Sequence, residues 1–211
     1  MQDIMLIGSL PGILHACASL DTHVAQWLRA HLTPGSADAL LAVTTLGSEW
    51  WVTSILLLTL GFLAWRRHWH KCAALLLTVP CGTLLGELLK DIVQRPRPFM
   101  SGPFGEWGGY SFPSGHTLAA TLLYGFLLVL LVPLAQRKRW RLALLSGGSL
   151  VILAVAFSRV ALGAHYMSDV AVAMIFGGVW VILCWRISRT FRRTATVTIP
   201  VSRQNVSSTT E

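Results

Sequence analysis

Two histidines, one aspartate and a few cations in this sequence have the types and spacings needed for nucleophilic and acid–base chemistry on an anionic group. His165 and Asp169 stand four residues apart, a spacing that on a helix places both side chains on one face. Asp169 can then accept a hydrogen bond from one imidazole nitrogen, which fixes the tautomer and leaves the other nitrogen free to attack. A His–Asp pair is equally often a purely structural hydrogen bond, so its neighbours matter. Arg159 precedes His165 by six residues. The string Pro113-Ser114-Gly115-His116 supplies a second histidine at what reads as a helix start. Pro is tolerated there, Gly lets the backbone approach a ligand, and free N–H groups favour an anion. Taken alone, such a string is more often a structural turn. Lys90, Arg95 and Arg97 form a third group, after an apolar run.

The elements that must position these residues are membrane spans. The chain is 54% hydrophobic and 12% charged, with mean hydropathy +0.60, whereas a soluble domain carries about 25% charged residues. Its 211 residues fit one domain. Five apolar segments, near 50–65, 72–89, 117–135, 142–157 and 170–185, approach or reach the length of a span, which takes about 17–25 helical residues. The first and fourth are short and are expected to extend further. The predicted fold is all-α: a polytopic transmembrane helical bundle with five clear spans and a possible sixth at 4–20. Residues 1–193 form the predicted domain, with short-span or interfacial helices over 1–48. The Ser- and Thr-rich tail, 194–211, reads as disordered.

Charge orients the bundle. Arg66, Arg67 and Lys71 follow the first span. Arg137, Lys138, Arg139 and Arg141 follow the third, and Arg186, Arg189, Arg192 and Arg193 follow the fifth. These are eleven of the 17 Lys and Arg residues. In a serpentine chain all three clusters share one side, which the positive-inside rule makes cytoplasmic. The loop 91–116 and the link 158–169 then face outward, and the C-terminus is cytoplasmic. The net charge of +8 thus reads as membrane-surface attraction rather than nucleic-acid binding. A cation at the bilayer centre costs about 2.5–3.5 kcal/mol on insertion scales. Lys90, Arg97 and Arg159 are therefore expected at helix ends or in a polar cavity. Snorkelling would suit Lys90 alone, but it does not explain why Arg97 and Arg159 reach the same level as His116, His165 and Asp169.

Other residues carry blander readings. Residues 21–31 read as an amphipathic helix with Val24, Trp27, Leu28 and His31 on one face, and Trp27 suits an interface. The N-terminus lacks the basic region of a cleaved signal peptide. Cys17, Cys72, Cys81 and Cys184 read as small buried hydrophobes, with no disulfide framework. His15, His23 and His31 recur every eight residues, a weak metal-site pattern. Glu87, one turn before Lys90, is a candidate partner for it. Arg95 is expected to meet lipid head groups or, less readily, a second phosphate. Trp107, Tyr110 and Phe112 are expected to pack on a lipid chain or anchor the outer loop.

Together the three groups resemble the signatures of the type 2 phosphatidic acid phosphatase family. Lys90-Asp91-Ile92-Val93-Gln94-Arg95-Pro96-Arg97-Pro98 is similar to the first, Pro113-Ser114-Gly115-His116 to the second, and Ser158-Arg159 with His165 and Asp169 to the third. Their order and separations also agree. The resemblance implies that His165 attacks phosphorus to form a phosphohistidine, with Asp169 orienting it. It implies that His116 protonates the leaving oxygen and then activates water. Lys90, Arg97 and Arg159 would bind phosphate oxygens, with Ser114 and the Gly115 amide adding hydrogen bonds. No metal and no other cofactor is implied, since cations supply the charge that magnesium supplies in many phosphoryl transfers. The partners implied are the bilayer and a lipid phosphate. Undecaprenyl pyrophosphate is the first expectation; phosphatidylglycerol phosphate, phosphatidic acid or transfer between lipids is the alternative. An anion channel and a vanadate-holding haloperoxidase-like site are the rivals. The channel does not require His116 together with His165 and Asp169, and the spans argue against the haloperoxidase.

Overall fold

Five helices long and apolar enough to cross a membrane are present in the computed structural model, which describes residues 18–99, 101–102 and 105–197. A first helix, α1, covers 18–31 of the described residues. It is followed by α2 (Pro34–Thr44), α3 (Glu49–Trp65), α4 (Trp69–Val93), α5 (Gly115–Leu131), α6 (Lys138–Ala161) and α7 (Met167–Val197). The fold is the expected all-helical one, with one small addition. Strands β1 (Ser101–Gly102) and β2 (Gly105–Glu106) pair antiparallel in the loop between α4 and α5. The first apolar segment reaches back to Pro34 and the fourth covers Lys138–Ala161, so both short segments do extend. Most of the possible sixth span, with His15 and Cys17, lies outside the described residues. The tail from 198 onward does too, while 194–197 continue α7.

Local sequence explains where the helices begin. Thr33 caps α2 in a reciprocal capping box with Ser36, and Pro34 occupies the first turn. Ser48 caps α3 by accepting from the Trp51 amide. Between α2 and α3 the chain makes a 3₁₀ turn, Thr45–Gly47. Gly47 is obligatory for a steric reason. A Cβ there would lie 2.7 Å from the His116 carbonyl oxygen and 2.8 Å from Val155 Cγ1. The bend therefore presses directly on the first turn of α5.

Helix α5 is the centre of the bundle. Leu118, Leu122, Leu123 and Phe126 are fully enclosed, as expected of a helix apolar on every side. Gly82 and Gly86 of α4, four residues apart, let α5 approach closely; a Cβ on Gly86 would lie 2.3 Å from Leu118 Cδ2. Cys72 and Cys184 are buried in this packing, and Cys72, Cys81 and Cys184 are all free thiols. The outer surface carries exposed Leu57, Leu58, Phe62, Leu84 and Ile175. In water these would form a large apolar patch; against lipid tails they are at home. The amphipathic helix α1 lays Val24 and Leu28 on Ala156, Val160 and Val170 of α6 and α7, as its pattern predicts.

Helix order sets the two ends of the bundle. The α3–α4 turn, the α5–α6 connection and the end of α7 lie at one end. The α4–α5 loop and the α6–α7 turn lie at the other. Every predicted site residue is thereby carried to this second end.

Candidate active site

The segment after α4 sorts its two arginines by backbone geometry. Gln94 takes a left-handed conformation (φ 50°) and ends α4. Pro96 and Pro98 then disfavour helix at the residues before them. Residues two apart in a regular extended segment share a side, but this Pro-interrupted stretch is irregular, and Arg95 and Arg97 diverge. Arg97 Nη1 donates to the Ala164 carbonyl at 2.8 Å and lies 3.2 Å from His165 Nε2, and its Nε and Nη2 reach the Gly108 carbonyl. Arg95 turns the other way. Its Nη1 meets Asp169 Oδ1 at 2.5 Å and Ser168 Oγ at 2.7 Å, and its Nη2 meets Asp21 Oδ2 at 2.8 Å. Burial works against the Arg95 charge, but Asp21 and Asp169 outweigh it and hold its pKa above the ordinary value.

His165 lies in the turn between α6 and α7, not on a helix face shared with Asp169. Gly163 makes that turn possible with φ 73°, a conformation that L side chains rarely adopt. The His165 Nδ1 is 2.6 Å from the Ser111 carbonyl oxygen and 3.7 Å from Asp169 Oδ2. This corrects the expected direct His165–Asp169 hydrogen bond, because a main-chain carbonyl takes the Nδ1 proton. The consequence for the ring is unchanged: Nδ1 carries hydrogen and Nε2 presents its lone pair. Burial pushes His165 down to about 4; the Asp169 carboxylate opposes this, while Arg159 and Arg97 add to it. The imidazole is thus neutral near pH 7. Asp169 is completely buried and acts one step back. It accepts from the Ser111 hydroxyl, the Tyr166 amide and Arg95.

Arg159 is the most exposing clue to what the site takes. It is 4% solvent-exposed, and its Nη1 donates to Thr44 Oγ1 at 3.2 Å. Its guanidinium lies 4.7 Å from the centre of the Trp107 ring. Its Nε has no hydrogen-bond partner among the described residues. Among the described residues no carboxylate lies within 4 Å of Arg159 or Arg97. An unpaired buried cation costs several kcal/mol, so Arg159 calls for an anion, and the half-buried Arg97 adds positive charge beside it and beside His165 Nε2.

The opposite wall is the start of α5. No side chain caps this helix, and Ser114 at the N-cap is buried, with its hydroxyl 3.0 Å from Thr117 Oγ1. Lys90 pairs with Glu87 at 2.7 Å, as its spacing predicts, and the Lys90 Nζ would lie 3.7 Å from a Cβ on Gly115. Lys90 therefore borders the helix start. His116 lies within electrostatic reach of Arg159, His165, Arg97 and Lys90. The sequence-derived residues thus converge on one end of the bundle, with the backbone N–H groups of α5 facing the same region as the cations.

The PAP2 superfamily profile matches residues 71–193, more than half of the chain. The chain belongs to the PAP2 superfamily. A curated PAP2 relative, the phosphatidylglycerophosphatase B of Bacillus subtilis, is 29% identical over 162 residues, covering 74% of this chain and 77% of its own length. The lipid A 1-phosphatase of Rhizobium etli is 34% identical over 115 residues, covering 50% of this chain and 45% of that protein. The fold agrees with two solved structures. One is a transmembrane PAP2-type phosphatidylglycerolphosphate phosphatase from Bacillus subtilis, with TM-score 0.76 and 23% identity over 90% of this chain and 96% of that one. The other is Aquifex aeolicus LpxE, with TM-score 0.62 and 22% identity over 79% and 95%. This PAP2 protein is a multi-pass membrane phosphatase, a hydrolase of the lipid phosphatase kind.

Several residues at the PAP2 site escape sequence reading. Ser111 contributes a carbonyl, which no side-chain type announces. Thr44 and Asp21 come from helices far away in sequence. Trp107, expected on lipid or at the interface, instead lies under Arg159. Arg95, expected at head groups or a second phosphate, is held by two carboxylates. The weak histidine pattern in α1 also has another use. His23 and His31 place Nδ1 within 2.7–2.8 Å of carbonyls of their own helix, Ser19 and Trp27.

Proposed function

We propose that this PAP2 protein removes a terminal phosphate from a membrane lipid at the extracytoplasmic face, through a phosphohistidine on His165. The observation that carries this reading is the pair of guanidiniums, Arg159 buried and Arg97 half-buried, with no carboxylate partner among the described residues and with Arg97 touching His165 Nε2. In the first step His165 Nε2 bonds to phosphorus and the bond from phosphorus to the lipid oxygen breaks. His116 gives that oxygen its proton. In the second step water attacks phosphorus, His116 takes the water proton, and the N–P bond breaks to release inorganic phosphate. Lys90, Arg97, Arg159 and the Gly115 amide stabilise the equatorial oxygens. Ser114 supports the same helix start.

Phosphatidylglycerol phosphate is the substrate we place first, ahead of undecaprenyl pyrophosphate. Two observations support that order. A relative named for phosphatidylglycerophosphatase activity aligns over three-quarters of both chains. Arg95, the cation that would suit a second phosphate, is already engaged by Asp21 and Asp169. The basic clusters at the opposite end of the bundle support a cytoplasmic C-terminus and an outward-facing site in the cytoplasmic membrane. The deciding experiment measures phosphate release by the purified protein in chelator from phosphatidylglycerol phosphate, undecaprenyl pyrophosphate and phosphatidic acid. The first should give the highest kcat/KM, and His165→Ala should be inactive. Equal turnover by His165→Ala would overturn the mechanism, and preference for the pyrophosphate would overturn the substrate order.

A further inference from the structure

Asp21 lies in α1, which supplies none of the signature residues, yet it is 3% exposed. Its Oδ1 accepts from the Ser168 amide at 3.0 Å, and its Oδ2 accepts from Arg95 at 2.8 Å and from the Ser168 hydroxyl. Arg95 in turn bridges to Asp169, which holds the Ser111 hydroxyl, and the Ser111 carbonyl holds the His165 ring. A second contact joins α1 to the same segment. The Arg29 guanidinium lies 4.1 Å from the centre of the Phe99 ring, and that ring packs on Gly163, where a Cβ would lie 2.7 Å from Phe99 Cδ2. Two points on α1, eight residues apart, thus clasp both ends of the stretch that delivers Arg97, and the second also bears on the turn that carries His165.

We propose that Asp21 is a positioning residue for the phosphatase reaction and that α1 is the clamp through which it acts. Asp21 touches neither the phosphate site nor His165. Its carboxylate shares Arg95 with Asp169 and fixes Ser168 in the first turn of α7. Without it, Arg95 is anchored on one side only. Asp169 then loses a fixed partner, and the 95–97 segment is free to shift Arg97 relative to His165 Nε2. A small misplacement of reacting groups is costly to the chemical step while leaving phosphate binding charges in place. The effect therefore belongs mainly to kcat.

This inference rests on the phosphatase reading, and its test separates the two. Purified full-length wild type, Asp21→Asn, Arg95→Gln, the double variant and Ser168→Ala are assayed on phosphatidylglycerol phosphate in mixed micelles, with thermal melting measured alongside. Wild type without phosphate release sinks the phosphatase reading itself. With wild type active, Asp21→Asn should lose at least ten-fold in kcat with KM changed less than three-fold. The double variant should be no worse than its worse single parent, because Asp21 acts through Arg95. Wild-type kcat in a folded Asp21→Asn, or a double loss equal to the product of the single losses, overturns the proposal. If Asp21→Asn does not fold, Ser168→Ala decides. That variant removes the bridging hydroxyl but leaves both charges, and it should lose about three-fold or more in kcat at unchanged KM. Full kcat there overturns the proposal as well.

Discussion

The Nδ1 nitrogen of His165 lies 2.6 Å from the carbonyl oxygen of Ser111. The main chain therefore holds the ring proton, while the Ser111 side chain donates to Asp169 Oδ2. Ser111 thus stands between the histidine and the aspartate, with a different atom for each. Asp169 Oδ2, 3.7 Å from the ring nitrogen, influences His165 through charge and through the placement of Ser111.

This arrangement ranks two substitutions. Asp169→Asn removes a buried charge but leaves the Ser111 carbonyl, so the Nδ1–H tautomer survives. The kcat on a lipid phosphate should fall by about 10²–10³, within the usual range for a positioned proton-transfer group. Ser111→Ala keeps the carbonyl and removes only the hydroxyl, and should cost about ten-fold, the scale of one lost hydrogen bond. Steady-state kinetics on both variants check this. A larger loss in Ser111→Ala than in Asp169→Asn would contradict the division of roles.

Acid should destabilise the protein through the same histidine. Burial, with Arg159 and Arg97 adding and Asp169 opposing, sets the folded pKa at about 4, against about 6.5 for an unfolded histidine. Between these values the unfolded chain binds a proton that the folded chain does not. The stabilisation is thus complete above about 6.5 and is lost as pH falls toward 4. Since His165 is nearly fully buried, the difference amounts to something on the order of 3 kcal/mol at about 1.4 kcal/mol per unit. Unfolding in detergent at pH 7.5 and pH 4 should show wild type losing that much relative to His165→Gln. A constant gap between the two proteins would refute the shift.

The extent to which all this was legible in the sequence depends on the range of the interaction. Spans 72–89, 142–157 and 170–185 lie inside helices of the structure, and 117–135 overruns its helical span by one residue, because hydrophobicity reports burial in lipid residue by residue. Lys90, Arg97, His116, Arg159 and His165 come to one end because five alternating spans leave few places for charged and polar groups. The Lys90–Glu87 pair was visible because helical spacing is local. The Arg95 pairing was not, because its partners lie 74 residues away in either direction, and no periodicity encodes Asp21 meeting Ser168. The role of Ser111 was hidden for another reason: its decisive atom is a carbonyl that every residue possesses. The bend at Gly47 likewise shows only when α5 is packed against it.

Trp107 supports Arg159 by its ring face, at 4.7 Å from the guanidinium carbon. Such a contact is worth about 0.5–2 kcal/mol. Trp107→Ala should therefore lower kcat/KM by about 2- to 30-fold, and Trp107→Phe, which keeps an aromatic face, should lose less. If Trp107 served only to anchor the loop in the bilayer, the two variants would be equivalent in kcat/KM. Assays over a range of substrate in micelles distinguish these outcomes.

Gly47 ties the first span to His116, the proposed acid–base group. A methyl group there meets the His116 carbonyl oxygen at 2.7 Å and Val155 Cγ1 at 2.8 Å, and the carbonyl, being backbone, cannot yield without moving the start of α5. Three residues earlier, Thr44 holds Arg159, so a shift of this turn disturbs the proposed phosphate cradle from two sides. Overpacking of this kind costs about 1–3 kcal/mol. Gly47→Ala should lower the melting temperature and reduce kcat at least ten-fold. Gly35→Ala is the matched control. A Cβ on Gly35, in the first turn of α2, meets nothing within 4 Å among the described residues. That variant should keep full activity and melt no lower than wild type. If Gly47→Ala behaves like Gly35→Ala, the turn is free to relax and does not govern His116.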